Sequence, residues 1–109
     1  MKIDITEHNG AKVFSLSGDI DLYSSPALRK ELIFFIGKKV PLLLVDFRDV
    51  SYIDSSGIAT LVEGLRGMMS HGGKLKLLGI PERIVEIFAF SKLDKVFDIC
   101  GSLDDAVKD

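Results

Sequence analysis

Val40 to Phe47 is a nearly unbroken apolar stretch, rich in leucine and valine, set between two segments of helical periodicity. A run of that length suits a strand covered on both faces. Before it, Leu28, Leu32, Phe35 and Ile36 keep helical spacing up to Gly37. After it, Ile58, Leu61, Val62, Leu65, Met68 and Met69 follow a full i, i+3, i+4, i+7 pattern. A buried strand with a helix on either side in sequence implies crossover connections. That means a largely parallel sheet with right-handed crossovers.

The remaining segments extend this scheme. Residues 2–6 and 11–17 alternate polar and apolar around His8-Asn9-Gly10, which predicts an opening β-hairpin. Gly18 to Tyr23 reads as a polar loop, and Ser25-Pro26 as an N-cap with proline at the first helical position. Asp49 to Ile53 reads as a connection. Lys74 to Leu78 is a strand, and Pro81 opens a helix with its stripe at Ile84, Ile87 and Phe88. Val96 to Ile99 is a short strand, and Ser102 with Asp105 resembles a capping box on a last short helix. The class is α/β: one domain over 1–109, with a mixed, mostly parallel sheet begun by an antiparallel hairpin and about four helices.

Several functions are disfavoured at this level. The formal net charge is −2, with 14 Lys plus Arg against 16 Asp plus Glu, so no basic face for nucleic acid is expected. No apolar run approaches the roughly 18 residues of a membrane span, and the first residues lack the apolar core of a signal peptide. The expected location is cytoplasmic. A lone cysteine, Cys100, forms neither an internal disulfide nor a cysteine-based metal cluster, and reads as a small buried hydrophobe. His8 and His71 fall in predicted turns without a second ligand at useful spacing and read as solvated, so no metal is expected.

Gly67 to Lys74 resembles a phosphate-binding loop only superficially. Gly73 stands where that motif needs lysine, and the segment runs from helix into strand, so His71-Gly72-Gly73 reads as a helix C-cap. No histidine is placed to activate a serine, so no catalytic residue is assigned. An enzyme or small-ligand binder would need a concave site at the carboxyl ends of the parallel strands, near Asp21 and Asp54.

Asp54-Ser55-Ser56-Gly57 stands apart. It is a helix start, but two adjacent hydroxyls and an acid exceed what one cap requires. Exposed backbone N–H groups and the positive dipole end suit phosphate there. A phosphoserine would add nearly two negative charges without melting the helix, so its effect would fall on a docked partner. Gly57, Thr60, Gly64 and Gly67 also share one flank of the helix. Internal glycines cost about 1 kcal/mol each relative to alanine. Either a neighbouring helix packs closely there, or the flank is a low surface for another protein's backbone.

With its flanks Leu43 to Asp46 and Val50 to Ile53, Asp54-Ser55-Ser56-Gly57-Ile58 resembles the phosphorylation motif of bacterial anti-sigma-factor antagonists, which are stand-alone STAS domains. Ser17-Gly18-Asp19-Ile20-Asp21 and Leu93-Asp94-Lys95-Val96-Phe97 match two further regions of that family, so the likeness spans essentially the whole chain.

The resemblance implies partner switching. The unmodified chain would bind an anti-sigma factor that is also a serine kinase, and so free a sigma factor. The kinase, using its own ATP, would phosphorylate Ser55, and a PP2C-type phosphatase would reverse this. No cofactor of its own is implied. The implied partner surface comprises Asp19, Asp21, Asp54, Ser55, Ser56, Gly57 and Thr60 on a chain that is monomeric when free; Phe34, Phe35 and Phe90 are candidates for an exposed patch. The family often carries glycine where this chain has Ala59, Glu63 and Lys92. The alternative role is a regulatory or structural subunit of a membrane lipid or anion transporter, with no insertion into the membrane itself.

Overall fold

A computed structural model describes residues 1–107. Strands β1 (Lys2–His8) and β2 (Ala11–Ile20) form the hairpin. Helix α1 (Ser25–Gly37) leads to β3 (Leu42–Ile53), and α2 (Ser55–Ser70) leads to β4 (Lys74–Leu78). Helix α3 (Glu82–Phe90) and a 3-10 turn at Leu93–Lys95 precede β5 (Asp98–Cys100) and α4 (Leu103–Val107). The five strands lie in the order β1-β2-β3-β4-β5, with β1 antiparallel to β2 and every later neighbour parallel. The α/β class and the hairpin-led parallel sheet are as expected from the sequence.

Alternation along the buried strands divides the core. Phe14 and Leu16 of β2, Leu43, Val45 and Phe47 of β3, and Leu75 and Leu77 of β4 pack with Leu28 and Leu32 of α1, Leu61 and Met68 of α2, and Ile84 and Phe88 of α3. The three crossover helices therefore share one face. On the other face Ala11, Val13, Leu44 and Leu78 pack against Ala106 of α4. Lys76 of β4 is buried there, and its Nζ donates to the Ala106 carbonyl at 3.0 Å, the favourable charge for a helix C-terminus.

The structure departs from the sequence reading at four element boundaries. Gly18 to Ile20 are strand and not loop, because Gly18, Asp19 and Ile20 pair with Val50, Tyr52 and Ile53. For the same reason 49–53 is strand rather than connection. Helix α1 has Ser24 at its N-cap, so Ser25 is already helical. Helix α2 begins at Ser55 with Asp54 as its N-cap, in keeping with the reading of Asp54-Ser55-Ser56-Gly57 as a helix start. The last strand is Asp98–Cys100, and the backbone before it winds into the 3-10 turn.

The end of α2 is a glycine cap. Gly72 takes φ +82°, and the amides of Gly72 and Gly73 donate to the carbonyls of Met69 and Met68 at 3.1 and 2.8 Å. His71 is half-buried, with its Nε2 out of contact with solvent, where a solvated ring was expected. The tight cap folds the ring back over Gly73.

Candidate functional site

The carboxyl ends of β2 and β3 lie side by side, and the Asp54 amide donates to the Ile20 carbonyl at 3.0 Å. Both chains leave the sheet there, one into the 21–24 turn and the other into α2. Asp54, with extended backbone at ψ −175°, is the N-cap of α2. Its Oδ1 accepts the Gly57 amide at 3.0 Å and the Ser56 hydroxyl at 2.6 Å. Its Oδ2 accepts the Leu22 amide at 3.1 Å, joining the two exits. The Ser56 hydroxyl bond first, then the Gly57 amide bond, holds the Asp54 carboxyl below its ordinary range.

Asp21 organises the turn. Its Oδ1 accepts the amides of Tyr23 and Ser24 at 3.0 Å each, and its carbonyl accepts the Ser25 hydroxyl at 2.6 Å. The Ser24 hydroxyl accepts the Asp21 amide at 2.8 Å and donates to the Asp19 carbonyl at 2.9 Å. Ser25 Oγ lies 3.3 Å from Ser56 Oγ, so the first turns of α1 and α2 meet through hydroxyls.

The two adjacent serines differ sharply. Ser56 Oγ is committed to Asp54 and sits beside Ser25. Ser55 is exposed, at the first position of α2, and its hydroxyl bonds to none of the described residues. Asp21, Asp54, Ser55 and Ser56 are thus brought together. Asp19 joins them through its carbonyl, while its exposed residue borders a different hollow, with Met1, Ile3 and Tyr23.

Gly57 and Thr60, both assigned to the implied partner surface, are buried. A Cβ on Gly57 would lie 2.7 Å from the Ile20 side chain and 2.9 Å from its carbonyl oxygen. Thr60 turns its hydroxyl inward to the Ser56 carbonyl at 2.9 Å. Further along, a Cβ on Gly64 would lie 3.1 Å from Leu32, and one on Gly67 would lie 2.7 Å from Ile36. Close packing therefore accounts for the three glycines, against the ends of β2 and β3 at Gly57 and against α1 at Gly64 and Gly67. What it leaves at the surface beside Ser55 are Leu22, 67% exposed, and Tyr23, 90% exposed.

Two residues that the sequence did not single out as a pair complete the surface. Arg29 of α1 donates through Nε and Nη2 to the two carboxylate oxygens of Glu63 on α2, at 2.8 and 2.9 Å. The bidentate bond lowers the Glu63 carboxyl and raises the Arg29 guanidinium. Glu63 is therefore a bridged charge between two helices. An open depression of about 330 Å³ lies next to it, lined by Leu22, Ser25, Pro26, Arg29, Ser56 and Thr60. Of the expected aromatic patch, Phe34 and Phe90 are exposed at 54% and 92%, while Phe35 packs on the core.

The model of the STAS domain matches residues 2–106. The chain belongs to the STAS domain family. Among STAS relatives, it is 29% identical over 108 residues to the anti-sigma-B factor antagonist of Bacillus subtilis, covering 99% of this chain and 98% of that one. It is 25% identical to the crystal structure of an anti-sigma factor antagonist from Mycobacterium paratuberculosis, with a TM-score of 0.87 over 97% of this chain and 90% of that one. The phosphorylated form of the Bacillus cell fate determinant SpoIIAA shares the STAS fold, at 19% identity and a TM-score of 0.76 over 97% and 96% of the two chains. Among the described residues, no group of three His, Cys, Asp or Glu could hold a metal ion, and no helix is long and apolar enough to cross a membrane.

Proposed function

We propose that this STAS domain is an anti-sigma-factor antagonist, a regulatory binding protein switched by phosphorylation of Ser55. In its unmodified form it binds an anti-sigma factor that is also a serine kinase, and a sigma factor is released. Transfer of phosphate from the kinase's ATP to Ser55 ends that binding, and a PP2C-type phosphatase restores it. ATP belongs to the kinase; the antagonist needs no cofactor and works in the cytoplasm as a monomer between complexes.

The names of its relatives, one matched over 99% of this chain, support the antagonist role. One observation carries the choice of residue. Ser55 presents an exposed hydroxyl unattached to the described residues, whereas the neighbouring Ser56 hydroxyl is locked on Asp54. Phosphate on Ser55 would sit at the positive end of α2 and leave the cap intact. It would place nearly two further negative charges among Asp21 and Asp54. A loss of about 1.4 kcal/mol at the interface already weakens binding tenfold.

The test is a paired capture from the source cell's lysate with wild type and Ser55→Asp, alongside a wild-type sample given ATP and magnesium. The switch requires an ATPase-type kinase held by wild type alone, with phosphate on Ser55 by mass spectrometry. Identical captures and an unmodified Ser55 would overturn it, and would direct attention to a transporter-subunit role.

A further inference from the structure

The face of the sheet turned away from α1, α2 and α3 holds a buried cation that the Ser55 switch does not use. Along β4, Leu75 and Leu77 turn toward those helices, which leaves Lys74, Lys76 and Leu78 on the opposite face. Lys74 is exposed. Lys76, two residues on, is 2% exposed and is the one buried cation among the described residues. What covers that face is α4.

Helix α4 is weakly built on its own account. It spans five residues, far below the length at which a helix supports itself in water. Ala106 is buried, and Leu103 and Val107 are partly buried against Ala11, Val13, Leu44 and Leu78. The Asp105 amide donates to the Ser102 hydroxyl at 3.2 Å and the Ala106 amide to the Ser102 carbonyl at 3.1 Å, both within the segment. A tie to the sheet runs from Lys76 Nζ to the Ala106 carbonyl at 3.0 Å, with Asp98 Oδ2 3.7 Å from the same nitrogen.

Closing α4 over the sheet strips water from the Lys76 ammonium, and a buried charge is tolerated only where protein acceptors replace that water. The Ala106 carbonyl and the Asp98 carboxylate do so, through a charge-assisted bond and an ion pair. Lifting α4 returns Nζ to water, so the open state leaves no charge stranded. Segments with little buried apolar surface open at the low end of the stability range of a fold.

We propose that α4 is a releasable strap, latched to the sheet by Lys76 and opening while the core stays folded. Release bares Ala11, Val13 and Leu44. It also removes the Ser102 and Leu103 wall of a hollow of about 390 Å³ whose other lining includes Ser15, Asp46, Arg48 and Gly79. Helix α2, which carries Ser55, packs on the other face, so the strap is a device separate from the phosphorylation switch.

Hydrogen exchange and lysine acylation read the strap on the full chain. The Ala106 amide is expected to show protection at least about 100-fold below that of Val45 in the central strand. Trace acetic anhydride should modify the Lys76 amine in native buffer, more slowly than exposed Lys74, while the core amides keep their protection. Lys76→Met keeps the aliphatic stem and leaves the Ala106 carbonyl without this donor, so Ala106 protection should fall about tenfold. Asp98→Asn, at an exposed position, should lower it about threefold, and carries the same test if Lys76→Met does not fold.

Equal protection of Ala106 and Val45 in wild type would overturn the strap. So would a Lys76 amine that reacts only once urea unfolds the core. A variant that lowers Val45 protection and leaves Ala106 at its wild-type value would overturn the latch, because Lys76 would then hold the core and not the strap. Higher Ala106 protection in Lys76→Met would overturn it too.

Discussion

Asp54 Oδ2 accepts the Leu22 amide at 3.1 Å across 32 residues of sequence, so the cap of α2 also anchors the 21–24 turn. The same carboxylate serves Gly57 and Ser56 through its other oxygen. Removing it by Asp54→Ala is expected to lower the urea midpoint and to speed hydrogen exchange of the Leu22 amide in particular. Asp54→Asn retains an acceptor and a good capping residue, so it should lose much less on both measures. Leu22 exchange unchanged in Asp54→Ala would show that the turn holds itself in place without the cap.

Acid should expose the same bond set. The Asp54 carboxyl is held below its ordinary value of 3.8, chiefly by the Ser56 hydroxyl and next by the Gly57 amide. A carboxyl whose folded value is depressed contributes stability fully above the unfolded value and loses it as pH falls through the folded one. The advantage of wild type over Asp54→Asn should thus be constant from neutral pH down to the region of 3.8, and should shrink below it. Matched urea titrations at several pH values check this. An advantage that grows on acidification would refute the assignment.

Local periodicity made the α/β class and the sheet legible, because the helices and the buried strands each repeat cleanly. What it missed was non-local. The far half of β3 carries Arg48, Asp49, Ser51 and Tyr52, which break an apolar run, yet it stays extended because β2 continues beside it through register shifts at Ser15/Ser17 and Gly18/Asp19. At the candidate site, Asp54, Ser55 and Ser56 were visible as a motif. Ser25 read only as a helix-cap residue and Ser24 was not singled out, and their links to Asp21 and Ser56 depend on two chain exits meeting. The outward or inward sense of Gly57 and Thr60 could not be read from one helical wheel, because their flank suited a packed neighbour and a low docking surface equally until α1 and Ile20 were placed against it.

Those glycines make a comparative prediction. Alanine at Gly57 would press on the Ile20 carbonyl oxygen at 2.9 Å, which is backbone and gives way only if the end of β2 moves. A cost of roughly 1–3 kcal/mol is expected. Alanine at Gly67 meets mainly the Cδ1 end of Ile36 at 2.7 Å, a flexible tip that can rotate aside. The gain of up to about 1 kcal/mol from replacing a helical glycine should offset much of that strain. Urea unfolding of the two variants should therefore differ clearly, with Gly57→Ala the less stable. The reverse order would mean that the end of β2 yields more easily than the α1–α2 contact.

Lys92 supplies a last test. It follows α3 with φ +60° and ψ 19°, a left-handed conformation that crowds the Cβ of an L-residue. The side chain is exposed, so little packing is lost when it is removed. Lys92→Gly should stabilise the fold by about 1 kcal/mol at most, since relief of the left-handed strain is partly offset by the freer unfolded chain. Lys92→Ala keeps the Cβ and serves as the control, with no such gain expected. Equal stability of the glycine and alanine variants would show that the turn between α3 and the 3-10 segment holds its lysine without strain.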